Sequence, residues 1–160
     1  MSVLNPYDSF LDGRLVQTIL AATPGVLAQA LAAIGAEKAS MPIAPGKWSP
    51  AQILCHLADC EIAFGFRLRQ TLAEDQPVIQ PFDQDKWAAI YDGISVGQAL
   101  EAFTAMRGWN LQMIHAALPT AAGRKATHPE RGAMTFQTIV ETMAGHDLNH
   151  IGQLRKLAGI

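Results

Sequence analysis

Four long stretches of this chain lack the alternation of apolar and polar residues that marks a half-buried β-strand, and this feature does most to restrict the fold. The stretches are rich in Ala, Leu, Gln and Met, which suit helices, and Pro or Gly stands near their ends. They run from about Ser9 to Ala22, from Pro50 to about Glu74, from Val96 to about Leu118 and from Thr135 to about Leu157. An all-α four-helix bundle is the simplest fold that buries four apolar helical stripes together.

Capping residues predict most of the helix ends. Ser49, Ser95 and Thr135 are each suited to the position just before a helix, where a side-chain oxygen accepts from a free backbone N–H. Pro119 predicts that the third helix ends just before it, and Gly159 predicts the end of the fourth. A polar loop is expected between these two helices.

The first helix meets Thr23 and Pro24, and two interpretations stay open. Either the helix continues with a kink to Ile34, or a new helix begins at Pro24. Residues 36–47 are predicted to form a connection, and residues 82–91 a short helical segment between the second and third long helices.

Length, charge and apolar content limit the class of protein. The whole chain, residues 1–160, has the size of one domain, and 49% hydrophobic residues allow it a core of its own. A formal net charge of -2 argues against nucleic acid or an anionic membrane as partner. The first residues lack a basic region followed by an apolar run, and no uninterrupted apolar stretch reaches membrane-spanning length. We therefore expect a cytoplasmic protein with small-molecule or protein partners.

Cys55 and Cys60 are five residues apart on the second predicted helix. This spacing points them to different sides of the helix, so they cannot form a disulfide with each other. We interpret both as small buried hydrophobic residues.

His146 and His150 lie in residues 145–153, GHDLNHIGQ. In a helix they are about 6 Å apart along the axis and within roughly 40° of each other around it, so both imidazoles can reach one point. Asp147 and Asn149 point about 80° away from the midline of this pair, which argues against direct ligation. A transition-metal site usually needs a third protein ligand, and the spacing alone also fits a solvent-facing pair.

His56 is the candidate for the third ligand because it lies on an unusually polar face of the second helix. Ser49, Gln52, Cys60 and Arg67 are among the residues that a helical projection places within roughly 40° of it. One His from one helix and a pair from another can form a metal site inside a bundle. Three neutral imidazoles leave coordination positions open, and of the metals that nitrogen ligands allow we expect zinc or nickel.

Five motifs carry a family resemblance: WSP at 48–50, HLAD at 56–59, FD at 82–83, HPERG at 128–132 and GHDLNH at 145–150. Their order and spacing, over nearly the whole chain, resemble the DinB/YfiT-like family of metalloenzymes. The resemblance implies a four-helix bundle in which His56, His146 and His150 bind a divalent metal, nickel or zinc. It also implies a homodimer.

The same resemblance implies two kinds of reaction. Some members resemble thiol-dependent S-transferases and isomerases that use a low-molecular-weight thiol such as bacillithiol or mycothiol, and others are called metal-dependent hydrolases. An open metal site suits both, because it can hold a thiolate or activate water. The alternative is a non-catalytic module of the same fold that binds a ligand or a stress signal.

Asp59 and Arg67 are the candidate catalytic residues. Asp59 lies at the edge of the His56 face, whereas Glu74 shares that face but lies far along the helix; either carboxylate can act as acid or base. The planar fork of Arg67 suits an anionic group of a substrate. A structural ion pair remains an alternative for each of the three.

We expect structural roles for the remaining polar and aromatic candidates. Trp48 is interpreted as a hydrophobic staple, and His128 and His115 as structural residues in a loop and near a helix end. Asp83 and Asp85 are expected to cap the short helical segment rather than to cover the mouth of the site.

Overall fold

The computed structural model describes residues 4–160. In chain order its elements are α1 (Asp8–Leu11), α2 (Val16–Ile34), α3 (Ala36–Ala39), α4 (Pro50–Ala73), α5 (Gln84–Ala88), α6 (Val96–Ala121), β1 (Lys125–His128), β2 (Gly132–Thr135) and α7 (Phe136–Ala158). The long helices α2, α4, α6 and α7 pack together as the predicted four-helix bundle, and α5 is the predicted short segment between the second and third of them.

The capping predictions are confirmed at atomic detail. The Ser49 side chain accepts from the backbone N–H of Gln52, whose own side chain accepts from the N–H of Ser49. A second capping box of this kind begins α6 at Ser95. Thr135 accepts from the N–H of Thr138 at the start of α7. Gly159 ends α7 at φ 74°, a left-handed conformation that glycine adopts without strain.

The break in the first helix lies earlier than predicted. Asp12 and Gly13, at φ 49° and 69°, separate α1 from α2, and α2 runs through Pro24. Proline has no N–H with which to bond the carbonyl of Leu20, four residues earlier. Arg107 Nη1 donates to that carbonyl at 3.1 Å, which compensates for the missing donor. Of the two interpretations of Pro24, the continuous helix is therefore correct.

Pro119 does not end α6, so that prediction is wrong, and the helix continues to Ala121. The carbonyl that loses its helical donor belongs to His115, an exposed residue. The polar loop predicted to follow instead contains an antiparallel hairpin of β1 and β2, with Lys125 opposite Thr135 and His128 opposite Gly132.

Helix direction follows from the pairs of residues in contact. Arg107 of α6 bonds Glu61 of α4, and Asn110, further along α6, lies against Gly65, further along α4. The two helices therefore run parallel. Along α7 the order is reversed against α4, since His150 lies beside His56 and His146 beside Phe64. Because α4 and α6 are parallel, residues 74–95 must return along the length of the bundle, and the hairpin anchors this return where the N–H of Ile79 donates to Thr127.

Within residues 4–160, α2 is long and apolar enough to cross a membrane by length and composition. Its Leu20 and Leu27 are fully buried in two adjoining apolar clusters of the bundle. One face of α2 therefore belongs to the core.

Candidate metal centre

The structure brings His56, His146 and His150 together inside the bundle. His56 Nε2 lies 3.0 Å from His146 Nε2, and His150 Nε2 lies 3.2 Å from that same atom. All three side chains are buried, at 1%, 6% and 8% exposure. We call these three residues the histidine cluster.

Local helix geometry explains why the cluster forms. The capping box at Ser49 sets the start of α4, so His56 comes seven residues later, nearly two turns along. On α7 the four-residue spacing stacks His146 and His150 on one face, with ring centroids 4.6 Å apart. The antiparallel packing of α4 and α7 then brings the two faces together.

Burial keeps the cluster neutral. Desolvation lowers the pKa of His56 from its ordinary 6.5 to about 4, with a further contribution from nearby His150. The pKa of His146 is also lowered, first by desolvation and then by both other histidines. Desolvation lowers the pKa of His150 as well, against the opposing influence of Gln153 and Asp147. Neutral imidazoles are the form that binds metals.

The arrangement of ring nitrogens fits a cation. A neutral imidazole nitrogen carries either one hydrogen or one lone pair in the ring plane, so His146 Nε2 cannot serve two neighbours equally well. The Gln153 side-chain oxygen, 3.2 Å from His150 Nδ1, accepts only, so the proton of His150 belongs on Nδ1 and its Nε2 lone pair faces the cluster. A single divalent ion satisfies three such lone pairs at once, and the residues present therefore fit a metal.

Aromatic side chains enclose the cluster on several sides. The Trp48 ring lies 4.9 Å from the His56 ring, and the Tyr7 ring meets the His146 ring edge-on at 5.2 Å. The segment carrying Tyr7 comes so close to α7 that a Cβ at Gly145 would lie 2.6 Å from the Tyr7 carbonyl oxygen. These rings restrict water access, and Trp48 thus contacts the cluster in addition to any role as a staple.

Cys60 is closer to the cluster than its interpretation as a buried hydrophobic residue suggested. It is a free, buried thiol whose Sγ lies 3.5 Å from His56 Nε2. Burial raises its pKa, so the thiol is protonated. The helical projection does place Cys60 on the His56 face, and this was the signal for a position beside the site. Cys55 is likewise free, as predicted.

Sequence reasoning missed a second polar group beside the cluster. Arg107, fully buried, uses all five of its N–H donors: two bond Glu61, two bond Asp147 and one bonds the carbonyl of Leu20. Asn110 donates to Glu61, and Thr23 Oγ1 lies 3.0 Å from Asp147. We call these five polar side chains, Thr23, Glu61, Arg107, Asn110 and Asp147, the arginine network. It joins all four long helices.

A cleft of about 810 Å³ opens beside the cluster, with His150 on its wall. Its other walls come from the loop before α4, the first turn of α4, α5 and the last turns of α7. Asp83 caps α5, as predicted, by accepting from the backbone N–H groups of Asp85 and Lys86. Asp85 lies in the first turn of α5 and on the cleft wall, which is the alternative to capping that its position in the sequence left open.

The candidate catalytic residues have other partners in the structure. Asp59 accepts from the Tyr91 hydroxyl at 2.7 Å. Arg67 donates to the carbonyl of Gln80 and lies over the rings of Phe64 and Phe82. Within residues 4–160, neither is hydrogen-bonded to the histidine cluster, so their catalytic roles stay predictions.

The other candidates lie apart from the cluster. Glu74 ends α4 and accepts from Gln70. His128 is buried on β1, where its Nδ1 accepts from the N–H of Glu130, and burial lowers its pKa. His115 is exposed on α6, and Asn149 is half-buried on α7.

Comparison with known proteins places the chain in a family. The model of the DinB superfamily matches residues 19–154. The chain belongs to the DinB superfamily. Its curated relatives include a protein of Oceanobacillus iheyensis named "Putative metal-dependent hydrolase", 28% identical over 113 residues that cover 70% of this chain and 66% of the relative. A protein of Bacillus mycoides with the same description is 22% identical over 135 residues, 84% of this chain and 78% of the relative.

A solved structure of similar fold is that of YfiT from Bacillus subtilis, described as "a probable metal-dependent hydrolase with an unusual four-helix bundle topology". The two superpose with a TM-score of 0.83 at 21% identity, covering 90% of this chain and 84% of YfiT. This likeness confirms the four-helix-bundle fold of this DinB-superfamily chain. The names of the relatives, together with the buried histidine cluster, suggest metal dependence.

Proposed function

We propose that this DinB-superfamily protein is a metal-dependent hydrolase in which His56, His146 and His150 hold one divalent ion, zinc or nickel. The observation that carries the proposal is the convergence of three buried, neutral imidazole nitrogens beside an open cleft. The names of the relatives favour hydrolysis over other uses of such a site.

A divalent ion bound by three histidines supplies Lewis-acid chemistry, since it polarises a carbonyl and makes water acidic near neutral pH. The chain's own residues prepare the site. Gln153 holds His150 in the tautomer whose Nε2 is free. The rings of Trp48, Tyr7 and Phe64 limit bulk water around the cluster, which strengthens electrostatic interactions there.

Two further residues are proposed to assist. Asp59 is offered as acid or base, and the hydroxyl of Tyr91 holds its carboxylate in place. Arg67, fixed by the carbonyl of Gln80, is offered as the group that holds an anionic part of a substrate. A small-molecule substrate, a homodimer and a cytoplasmic location also remain proposals.

Elemental analysis of tag-free protein tests the metal. We expect close to one zinc or nickel per chain in the wild type and in His115→Ala, which removes an exposed histidine of α6 that is not part of the cluster. The His56→Ala and His150→Ala variants should lose the metal. A wild type that stays metal-free after reconstitution, or variants that keep their metal, would overturn the site.

Turnover tests the reaction. The metal-loaded protein is assayed with a panel of esters and amides, and with electrophiles in the presence of a low-molecular-weight thiol. Hydrolysis that disappears in His150→Ala supports the proposal. Thiol transfer without hydrolysis would replace it with an S-transferase, and metal binding without any turnover would replace it with a ligand-binding module.

A further inference from the structure

The cleft beside His150 has a composition that indicates what it binds. Its volume of about 810 Å³ is within the range of small-molecule sites, which bury most of a ligand's surface. Among the three histidines, His150 lies on its wall, so a molecule in the cleft places one end at the cluster.

The interior of the cleft is apolar. Ile53 is buried at the first turn of α4, and Ile43 and Trp48 are half-buried in the loop before that helix. Leu157, 37% exposed, continues the apolar surface at the end of α7. Removing apolar area from water contributes roughly 25 cal/mol per Å², so this lining favours a ligand with an apolar body.

Cations predominate among the charged groups of the cleft. Lys47 in the loop and Lys156 on α7 stand on two of its walls, against the single carboxylate of Asp85 on α5. This local excess of positive charge occurs in a chain whose formal net charge is -2. A monoanion is therefore attracted to the cleft, whereas among these charged groups a cation is attracted by Asp85 and repelled by both lysines.

The position of Lys156 adds a length requirement. It follows His150 by six residues on α7, which corresponds to about 9 Å along the helix axis. Gln153 lies between them on the same wall. Measured along the helix axis, a ligand that reaches both residues therefore spans about this distance between its anionic group and its other functional group.

We propose that the cleft binds amphiphilic carboxylates, with an apolar chain or ring between a carboxylate at Lys47 and Lys156 and a second carbonyl group at His150. The second part rests on the proposed function, under which that carbonyl belongs to an ester. In the hydrolysis of such an ester, the oxygen of water bonds to the carbonyl carbon and the bond to the alcohol oxygen breaks. One proton of the water passes to the leaving alcohol and the other is released from the new carboxylic acid.

Binding to metal-free protein tests the cleft independently of catalysis. Phenylbutyrate, phenylbutanol and phenylbutylamine share an apolar body and differ in charge, and their affinities are measured by calorimetry or by fluorescence in low salt. We expect phenylbutyrate to bind about fivefold tighter than the alcohol, and the amine to bind weakest, since each exposed ion pair contributes a few-fold. The preference should shrink as salt is added.

Two lysine variants and one control sharpen this measurement. Lys47→Gln and Lys156→Gln should each reduce the preference for the carboxylate to about twofold, whereas Lys125→Gln, on the exposed side of β1, should leave it unchanged. Equal affinity for all three probes, or a preference that survives both cleft variants, would overturn the inference.

Metal-loaded protein then separates this inference from the proposed hydrolase. With monoesters of dicarboxylic acids of increasing chain length, we expect kcat/KM to peak where the spacer covers about 9 Å, and Lys156→Gln to raise KM while kcat is kept. Carboxylate binding without turnover of any ester supports the cleft and overturns the hydrolase. If neutral esters are hydrolysed as well as anionic ones, and Lys156→Gln leaves KM and kcat unchanged, the hydrolase is supported and the cleft assignment is overturned.

Discussion

Two polar groups lie side by side in the bundle and differ in how their hydrogen-bonding capacity is used. In the arginine network, every guanidinium N–H of Arg107 has an acceptor. In the histidine cluster, His146 Nε2 faces the Nε2 atoms of both other histidines, at 3.0 and 3.2 Å, and the buried His146 Nδ1 has no hydrogen-bond partner within residues 4–160. The two groups also meet in the sequence, since Asp147 of the network follows His146 of the cluster.

This difference distinguishes a polar group that stabilises the fold from one that can bind a ligand. A buried charge is tolerated where it is paired and hydrogen-bonded, and the arginine network meets that condition internally. The histidine cluster is neutral, and its three Nε2 atoms face one point that a cation can occupy.

The largest effect is expected from breaking the network. Arg107→Met leaves two buried carboxylates unpaired and should lower the free energy of unfolding by about 3–5 kcal/mol. Urea denaturation of metal-free protein measures this. Arg69→Met is the control: within residues 4–160 this partly buried guanidinium donates to the carbonyl of Gly65 and to Asn110 but to neither carboxylate, so its loss should cost about 1 kcal/mol. Equal losses in the two variants would show that the carboxylates do not need Arg107.

Acid should weaken the metal-free protein through the histidine cluster. The unfolded chain binds a proton at His56 below about pH 6.5, whereas the folded chain excludes it until about pH 4. The free energy of unfolding is therefore not reduced by His56 above pH 6.5. As the pH falls toward 4, it decreases by about 3 kcal/mol through His56 alone. Denaturation curves at several pH values check this. His56→Gln should flatten the pH dependence in this window, and an unchanged slope would contradict the assignment.

A metal should stabilise the cluster and leave the arginine network unaffected. At a free metal concentration one hundred times Kd, the expected gain in the free energy of unfolding is about 2.7 kcal/mol. The gain should be absent in His146→Ala and present in Arg69→Met. Thermal denaturation with and without zinc or nickel measures it. A gain retained in His146→Ala would place the ion elsewhere.

The smallest effect is expected at the edge of the cluster. Gln153→Leu removes the acceptor that fixes the tautomer of His150 and should weaken metal affinity about tenfold. Competition with a coloured chelator measures this affinity. Gln153→Glu, which keeps an acceptor at the same position, should restore most of it. If both variants bind metal like the wild type, the hydrogen bond does not orient His150.

Features set by local sequence could be predicted. The capping residues Ser49 and Thr135 fix the starts of α4 and α7, and from these starts the helical repeat places each histidine on its face. The four-residue spacing of His146 and His150 needs no knowledge of the fold. His56 was identified because its helical face is too polar to be an ordinary core face.

Features that depend on partners distant in the sequence could not be predicted. Arg107 reads in sequence as an ordinary charge on a helix, because its carboxylate partners are 46 and 40 residues away. Its bond to Leu20 depends on Pro24 and so on the packing of α2 against α6. The strands β1 and β2, four residues each, are too short for a periodic signal. The cleft is assembled from three separate segments and leaves no local pattern.

The parallel arrangement of α4 and α6 has a consequence for how this protein can change. A parallel pair needs a return segment, and here residues 74–95 carry Gln84 and Asp85 to the cleft wall on the way. This wall is a surface connection, which tolerates insertion and substitution far better than the packed helices that hold the histidines. Under the proposed function, substrate preference can therefore change in a part of the chain that the packing of the three histidines does not constrain.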